Sequence, residues 1–354
     1  VPGHDKTYYT THDMSLESTL TRAWLRRGPL ACALYPVSLL FRALAGLRGL
    51  LYRAGVLKSS RLPVPVIVVG NIFIGGTGKT PLTIWLVEQL RARGMRPGVV
   101  SRGFGGKGDG PRPVTALSTP AQVGDEPVLI ATRAACPVFV CRDRVAAGRA
   151  LLAAHPEVDV IVTDDGLQHY ALQRDVEVVL FDGRGVGNGW TLPAGPLREP
   201  PSRRRDVTVV NVPVLAPQLA ASVGGTPFQM TLAGTVAERL ADRRDRVPLA
   251  RMGGKGRLVA AAGIGNPQRF FRMLADAGLA FEELPLPDHH DFLDRPFARV
   301  AADAILMTEK DAVKCAHIEE LRDDPRLWVV PVGAQLDAAL IAHIVEKCRG
   351  STFA

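Results

Sequence analysis

The sequence is short of cysteine, and none of it is paired. Five residues, Cys32, Cys136, Cys141, Cys315 and Cys348, form no CxxC and no Cys/His cluster at zinc spacing. That pattern excludes a disulfide scaffold and a structural zinc site, and it suits a reducing compartment. Aromatics make up only 6% and do not interleave with the arginines, so a base-stacking platform for single strands is excluded and no nucleic acid partner is expected. The uncharged run of the N-terminal segment, 28–41, is 14 residues long and holds Pro29 and Pro36. A spanning helix needs about 20 apolar residues, so this segment is not expected to cross a bilayer. No small-residue cleavage site follows it, which argues against export. The 35 glycines and 27 prolines lack a period, which removes collagen and low-complexity readings.

What is present is a globular composition, 47% hydrophobic and 22% charged over 354 residues, enough for one large or two medium domains. The formal charge of +8 points to an anionic partner: nucleotide, nucleic acid or an acidic membrane surface.

Residues 1–13 are polar and aperiodic and read as an expression remnant ahead of a natural start at Met14. Residues 14–60 form a separate apolar segment with scattered arginines. At 100° per residue Leu40, Leu44, Leu47 and Leu51 share a stripe, Arg42 and Arg53 lie opposite, and Arg48 lies on the flank. Two readings fit: a helix lying in the lipid interface, or an amphipathic helix packed on the protein's own core.

The clearest chemistry follows. A β-branched run, 64–69, leads through Gly70 to Gly75-Gly76-Thr77-Gly78-Lys79-Thr80, and a helical pattern begins at Pro81. Strand, glycine loop and helix in that order make a P-loop, in which amides approach phosphate oxygens, Lys79 bridges the β and γ phosphates and Thr80 binds Mg²⁺. The match departs from the standard pattern because its first glycine position holds Phe73. Further on, a buried strand at 158–163 ends in Asp164-Asp165-Gly166. Carboxylates at a strand's carboxyl end face the ligand crevice, so one of this pair is a metal candidate, with a plain Asp-Gly turn as the alternative. Strand and helix patterns keep alternating, at 97–100, 138–141, 144–154 and 176–181, so the fold class is α/β, with a doubly wound, mostly parallel sheet.

With VPVIVVGN and GGTGKTP at 64–81, SRGFGG at 101–106, GDEP at 124–127, DDGLQH at 164–169, GPLRE at 195–199, PDHH at 287–290 and TEKDAVK at 308–314, the chain resembles the tetraacyldisaccharide 4'-kinase family. These are the lipid A 4'-kinases of Gram-negative bacteria. The resemblance implies a peripheral or monotopic enzyme at the cytoplasmic face of the inner membrane. It would move the γ-phosphate of ATP, with Mg²⁺, to the 4'-hydroxyl of a tetraacylated glucosamine disaccharide phosphate. It also implies a P-loop core with a second α/β lobe and a two-stranded linker, here 61–206 and 207–354, and an N-terminal helix at the lipid surface. Phe104 stands where the family usually carries Tyr.

On this resemblance Asp125 activates the hydroxyl together with His289, against the alternatives of a helix cap and a loop residue. Thr80, Glu126 and Asp165 are the metal candidates, with Asp164 behind them. Arg102, Arg144 and Arg198 are candidates for clamping phosphates, since guanidinium forks match phosphate oxygens; for each a surface ion pair is the alternative. Glu199 is a candidate for metal or ribose, Gln168 and His169 for shaping the cleft, and Asp288 for contacting substrate. GxGNP at 263–267 reads as a strand-to-helix turn, not a dinucleotide site. Two other classes compete. A membrane-recruited P-loop ATPase driving partner assembly would carry Lys before the GG, where Ile74 stands. A soluble kinase of small metabolites would use residues 15–57 as core helices.

Overall fold

The computed structural model describes residues 21, 23–106 and 108–351, so the remnant expected at 1–13 and the start expected at Met14 lie outside the described residues. A nine-stranded sheet organises the first lobe. Its strands are β1 (Val66–Gly70), β2 (Pro97–Ser101), β3 (Arg112–Pro113), β4 (Val138–Val140), β5 (Val160–Asp164), β6 (Val176–Asp182), β7 (Val207–Asn211), β8 (Phe228–Ala233) and a late strand, Gly333–Leu336. All neighbours pair in parallel except β3 on β4 and the late strand on β8. β1 lies between β5 and β6, so its Val/Ile run is covered on both faces, as parallel sheets require. One face packs Leu82, Leu86 and Leu90 of helix Lys79–Ala92, and the other packs Val145, Ala147 and Leu151 of helix Arg144–Ala154.

The second lobe is a six-stranded sheet of β9 (Val236–Arg239), β10 (Arg246–Pro248), β11 (Leu258–Ala262), β12 (Glu282–Pro285), β13 (Ala304–Thr308) and β14 (Leu327–Val330), in the order β10-β9-β14-β13-β11-β12. Helix Pro267–Asp276 follows β11 directly, so GxGNP is a strand-to-helix turn. After β14 the chain crosses back as β15 (Gly333–Leu336), and helix Ala338–Ser351 packs Leu340, Ile341 and Ile344 into the first lobe's core. The sheets therefore do not divide at residue 207. β7 and β8 extend the first sheet, and β15 with the last helix returns to it; the second sheet is inserted between β8 and β15. Pairings this remote in sequence leave no local signature, and the Arg-rich stretch before 207 resembles a boundary without being one.

Helix Pro29–Arg53 runs 25 residues, straight through Pro36, with Pro29 in its first turn. It is longer than its uncharged run suggests, and by length and composition alone it could cross a bilayer. Only Ala31 and Ser38 are buried along it. Ser38 donates to the Thr191 carbonyl at 2.7 Å, and Tyr35 stacks on Trp190 with centroids 4.4 Å apart. Leu40, Leu44 and Leu47 stay 61%, 58% and 52% exposed. The leucine stripe faces away from the protein, which removes the reading of a helix packed on its own core through those leucines. Leu51, at the end of the stripe, is half-buried.

Candidate active site

β1 feeds the glycine loop, and the loop is folded by asparagines and glycines. Asn71 Nδ2 donates to the carbonyls of Phe73 and Gly75 at 2.6 and 3.1 Å. Gly75 and Gly78 take φ of 95° and 101°, which L side chains rarely adopt. A Cβ on Gly78 would also lie 2.6 Å from Asn211 Nδ2, the group that donates to the Thr77 carbonyl at 2.9 Å. Gly78 is the N-cap of helix Lys79–Ala92 and no side chain caps it. The helix therefore offers its first amides and its positive dipole end to the cleft. Lys79 Nζ donates to Asn71 Oδ1 at 3.3 Å and lies 3.9 Å from Asp165.

The carboxylate pair closes β5. Asp164 is wholly buried; Thr83 donates to its Oδ1 at 3.1 Å, while Oδ2 has no partner. Burial first, then the negative charge of Glu126, push its carboxyl up to about 7, against the pull of Lys79. Asp165 turns the chain with φ 50° and meets Arg198 at 3.4 Å. This is more than an Asp-Gly turn: carboxylates gather beside the lysine of the loop, with an orphaned oxygen behind.

Further along the cleft the first lobe's helix Asp125–Ala134 meets the loop carrying His289 from the second lobe. Gly124, with φ 91°, is the N-cap of helix Asp125–Ala134, so Asp125 is not a cap; its Oδ1 accepts from the Glu126 amide at 2.9 Å. Its Oδ2 meets His289 Nδ1 at 3.1 Å. Burial opposes ionisation of Asp125, but the His289 hydrogen bond and the charges of Lys310 and Lys314 outweigh it and hold the carboxyl below its ordinary value. His289 is raised by the same bond, against burial and Lys310. His289 sits at φ 59°, a costly conformation for a non-glycine residue, which the surrounding contacts maintain. Phe104 lies 5.4 Å from the imidazole, centroid to centroid. His290 turns away: it accepts from the Phe292 amide and packs edge-on against that ring.

The cleft between the lobes has a volume of about 1260 Å³. Thr80, Arg102, Glu126, Gln168, Arg198 and Asp288 line it along with the glycine loop, Asp165 and His289. Five of the expected residues do not line it: the buried Asp125 and Asp164 described above, and Arg144, His169 and Glu199. Arg144 is buried, not a surface ion pair; it donates to the carbonyls of Arg142 and Asp165 at 3.0 and 3.2 Å. His169, lowered by burial and then by Arg144, accepts from the Arg144 amide at 3.3 Å. Glu199 is saturated by Gln168, Tyr170 and Arg203 at 2.8, 2.8 and 2.6 Å. It braces Gln168 instead of facing the cleft; burial, and then the charge of Glu199, push the Tyr170 hydroxyl up to about 12.

Several residues were missed. Asn211, at the carboxyl end of β7, could have been found from its strand position. Arg269 could not: it reaches from the second lobe to the Thr77 carbonyl at 3.2 Å and to Asp182 at 3.1 Å. Lys310, whose Nζ lies 3.3 Å from Glu126, sits in the TEKDAVK motif, which was the signal for it.

Known proteins place this arrangement. Residues 30–349 match the family described as LpxK, Tetraacyldisaccharide-1-P 4'-kinase. The tetraacyldisaccharide 4'-kinase of Janthinobacterium sp. (strain Marseille) is 61% identical over 345 residues, 96% of this chain and 98% of the relative. That of Herminiimonas arsenicoxydans is 56% identical over 354 residues, 96% and 98% of the two chains. A crystal structure described as the "apo" form of LpxK from Aquifex aeolicus in complex with ATP is 29% identical with a TM-score of 0.74, and the match covers 90% of this chain and 99% of that one. The match with LpxK thus spans both lobes and the helix at residue 30, and this chain belongs to the tetraacyldisaccharide-1-P 4'-kinase family.

Proposed function

We propose that this protein transfers the γ-phosphate of ATP to the 4'-hydroxyl of a tetraacylated glucosamine disaccharide 1-phosphate at the cytoplasmic face of the inner membrane. One observation carries the reading: the glycine-loop lysine of the first lobe and the His289 imidazole of the second, the latter held by the buried Asp125 carboxylate, open into one cleft. Phosphoryl transfer asks mainly for positioning and charge neutralisation, and the two sides divide that work.

In this reading the amides of Gly75 to Gly78 and the Lys79 ammonium hold the triphosphate, and Arg102 and Arg198 face it from the cleft wall. Thr80, Glu126 and Asp165 would hold Mg²⁺, with Asp164 behind them. The donor set is all oxygen, which suits a hard cation, and the unpartnered Asp164 Oδ2 is the kind of atom such a site leaves. The ion, when bound, neutralises phosphate charge. The sugar hydroxyl gives its proton to Asp125 as its oxygen bonds to phosphorus. Asp125, held below its ordinary pKa, is a weak base; a loose transition state asks for little proton transfer before bond formation. His289 keeps the carboxylate aimed, and Gln168 and Asp288 shape the acceptor's side. Arg144, His169 and Glu199 act from behind the wall, fixing Asp165 and Gln168.

The exposed leucines of helix Pro29–Arg53, with Arg48 on their flank, fit a helix that docks in the lipid interface. The acceptor's acyl chains would then stay among lipids while its sugar enters the cleft. Incubation with γ-labelled ATP, magnesium and the purified lipid disaccharide in mixed micelles should give a labelled, chloroform-soluble bisphosphate on thin-layer chromatography. Label released only as inorganic phosphate would refute the reading.

A further inference from the structure

The segment Thr308-Glu309-Lys310-Asp311 closes β13 and opens helix Glu309–Cys315. Three of its four side chains fasten the fold. Thr308 Oγ1 accepts from the Asp311 amide at 3.2 Å and donates to Asp311 Oδ2 at 2.7 Å. Asp311 also accepts from the Gly263 amide at 2.9 Å, tying the helix to the end of β11. Glu309 receives Arg133 at 2.5 and 2.6 Å and the Val332 amide at 3.2 Å, tying lobe to lobe.

Lys310 takes no part in this fastening. Its Nζ projects into the cleft, 3.3 Å from Glu126 Oε1, 3.4 Å from His289 Nε2, 3.7 Å from Asp288 and 3.9 Å from Asp125. Carboxylates surround it, yet none approaches closer than 3.3 Å. A compact ammonium on a flexible stem, loosely held among several acceptors, can change partners at little cost. Its surroundings also touch the phosphate loop. A Cβ built on Gly265 would lie 3.3 Å from the Gly76 amide nitrogen and 3.0 Å from Asp288 Oδ2. Little more than an atom's width therefore separates the glycine loop from the carboxylate beside Lys310.

We infer that Lys310 is a further catalytic residue, whose ammonium contacts the oxygens of the transferring phosphoryl group from the second lobe as Lys79 does from the first. The inference rests on the kinase reading above. In the transfer the acceptor oxygen–phosphorus bond forms while the bond from phosphorus to the β–γ bridging oxygen breaks, and the hydroxyl proton passes to Asp125. Lys310 stays protonated throughout. Charge in the transition state spreads over three equatorial oxygens, more than one lysine can meet. A second cation supplied in cis by the other lobe stabilises that charge and links turnover to the docking of the lobes.

The test compares the unaltered protein with K310M and K310R in three measurements: turnover of the lipid disaccharide, affinity for a nonhydrolysable ATP analogue, and affinity for ADP with aluminium fluoride, which mimics the transferring group. K310M should lower kcat by about 10²- to 10³-fold. It should hold the analogue within about threefold of the unaltered protein and lose the extra affinity that aluminium fluoride confers on ADP, a loss that a fastening role would not produce. K310R keeps the charge and the fold should K310M be unstable, and it should lower kcat by about tenfold with analogue affinity unchanged. Turnover of K310M near that of the unaltered protein would overturn the role of Lys310 alone, as would analogue affinity falling in step with kcat. Absence of lipid phosphorylation by the unaltered protein would overturn the kinase reading together with this one.

Discussion

The two lobes build their parts of the cleft differently. In the first lobe the phosphate loop is shaped largely by neighbours in the chain: Asn71 folds the loop onto itself, and its glycines take the φ values that the turn needs. In the second lobe the functional side chains are held by the opposite lobe. His289 is fixed by Asp125, Lys310 faces Glu126, and the helix carrying Lys310 is anchored through Glu309 to Arg133. One half of the site is thus almost complete before the lobes meet, while the other is assembled by their contact. Phosphate binding can therefore precede, and be separated from, the alignment that chemistry requires.

The widest separation should come from Lys79→Ala. It removes the loop's cation without touching the interlobe contacts, and it should lower kcat/KM by about 10³-fold or more with the unfolding midpoint nearly unchanged. A fall of less than about tenfold would dissolve the distinction between the lobes. Glu309→Ala reverses the experiment. It strands Arg133 and should cost about 3 kcal/mol of stability by urea denaturation, with turnover falling more than nucleotide affinity. If affinity fell as far as turnover, the first lobe would not be self-sufficient.

The smallest effect is the sharpest probe of the contact itself. The His289 pKa is raised above its ordinary 6.5, so its contribution to stability is complete below 6.5 and is lost as pH climbs through the folded value. The Asp125 pKa is lowered below 3.8, so its contribution is present above 3.8 and is lost as pH drops through the folded value. The link between the lobes is strongest between these limits. Proton NMR of the imidazole should give a midpoint above 6.5 that moves down in Asp125→Asn. An unmoved midpoint would mean that the pair is not formed in solution.

This asymmetry also governs what could be read from the chain. The glycine loop and the end of β5 are local, since their chemistry is set by residues within a few positions, and they are legible in the sequence. The Asp125–His289 pairing came from family resemblance, because 164 positions separate its members. Arg144, His169 and Glu199 were legible as site neighbours but not as residues behind the wall, since burial depends on how β5 and the following turns pack. The return of β15 and the last helix to the first sheet was illegible for the same reason. The leucine stripe of helix Pro29–Arg53 identifies its apolar face, but the docking of Ser38 and Tyr35 on Thr191 and Trp190, and of Arg48 and Tyr52 on Tyr170, decides which way that face points.

One feature of the connectivity reaches further. The second sheet is joined to the first by two crossings that lie side by side, with Gly234 packed against the Pro331 carbonyl, and β8 and β15 remain hydrogen-bonded just below them. A body carried on such a two-ply strap can tip but cannot swivel, because rotation would shear that ladder. Tipping leaves the partner lobe always within reach, so shutting the cleft forfeits little of the chain entropy that a single free tether would surrender. Whatever drives the lobes together then needs to supply only a small bias.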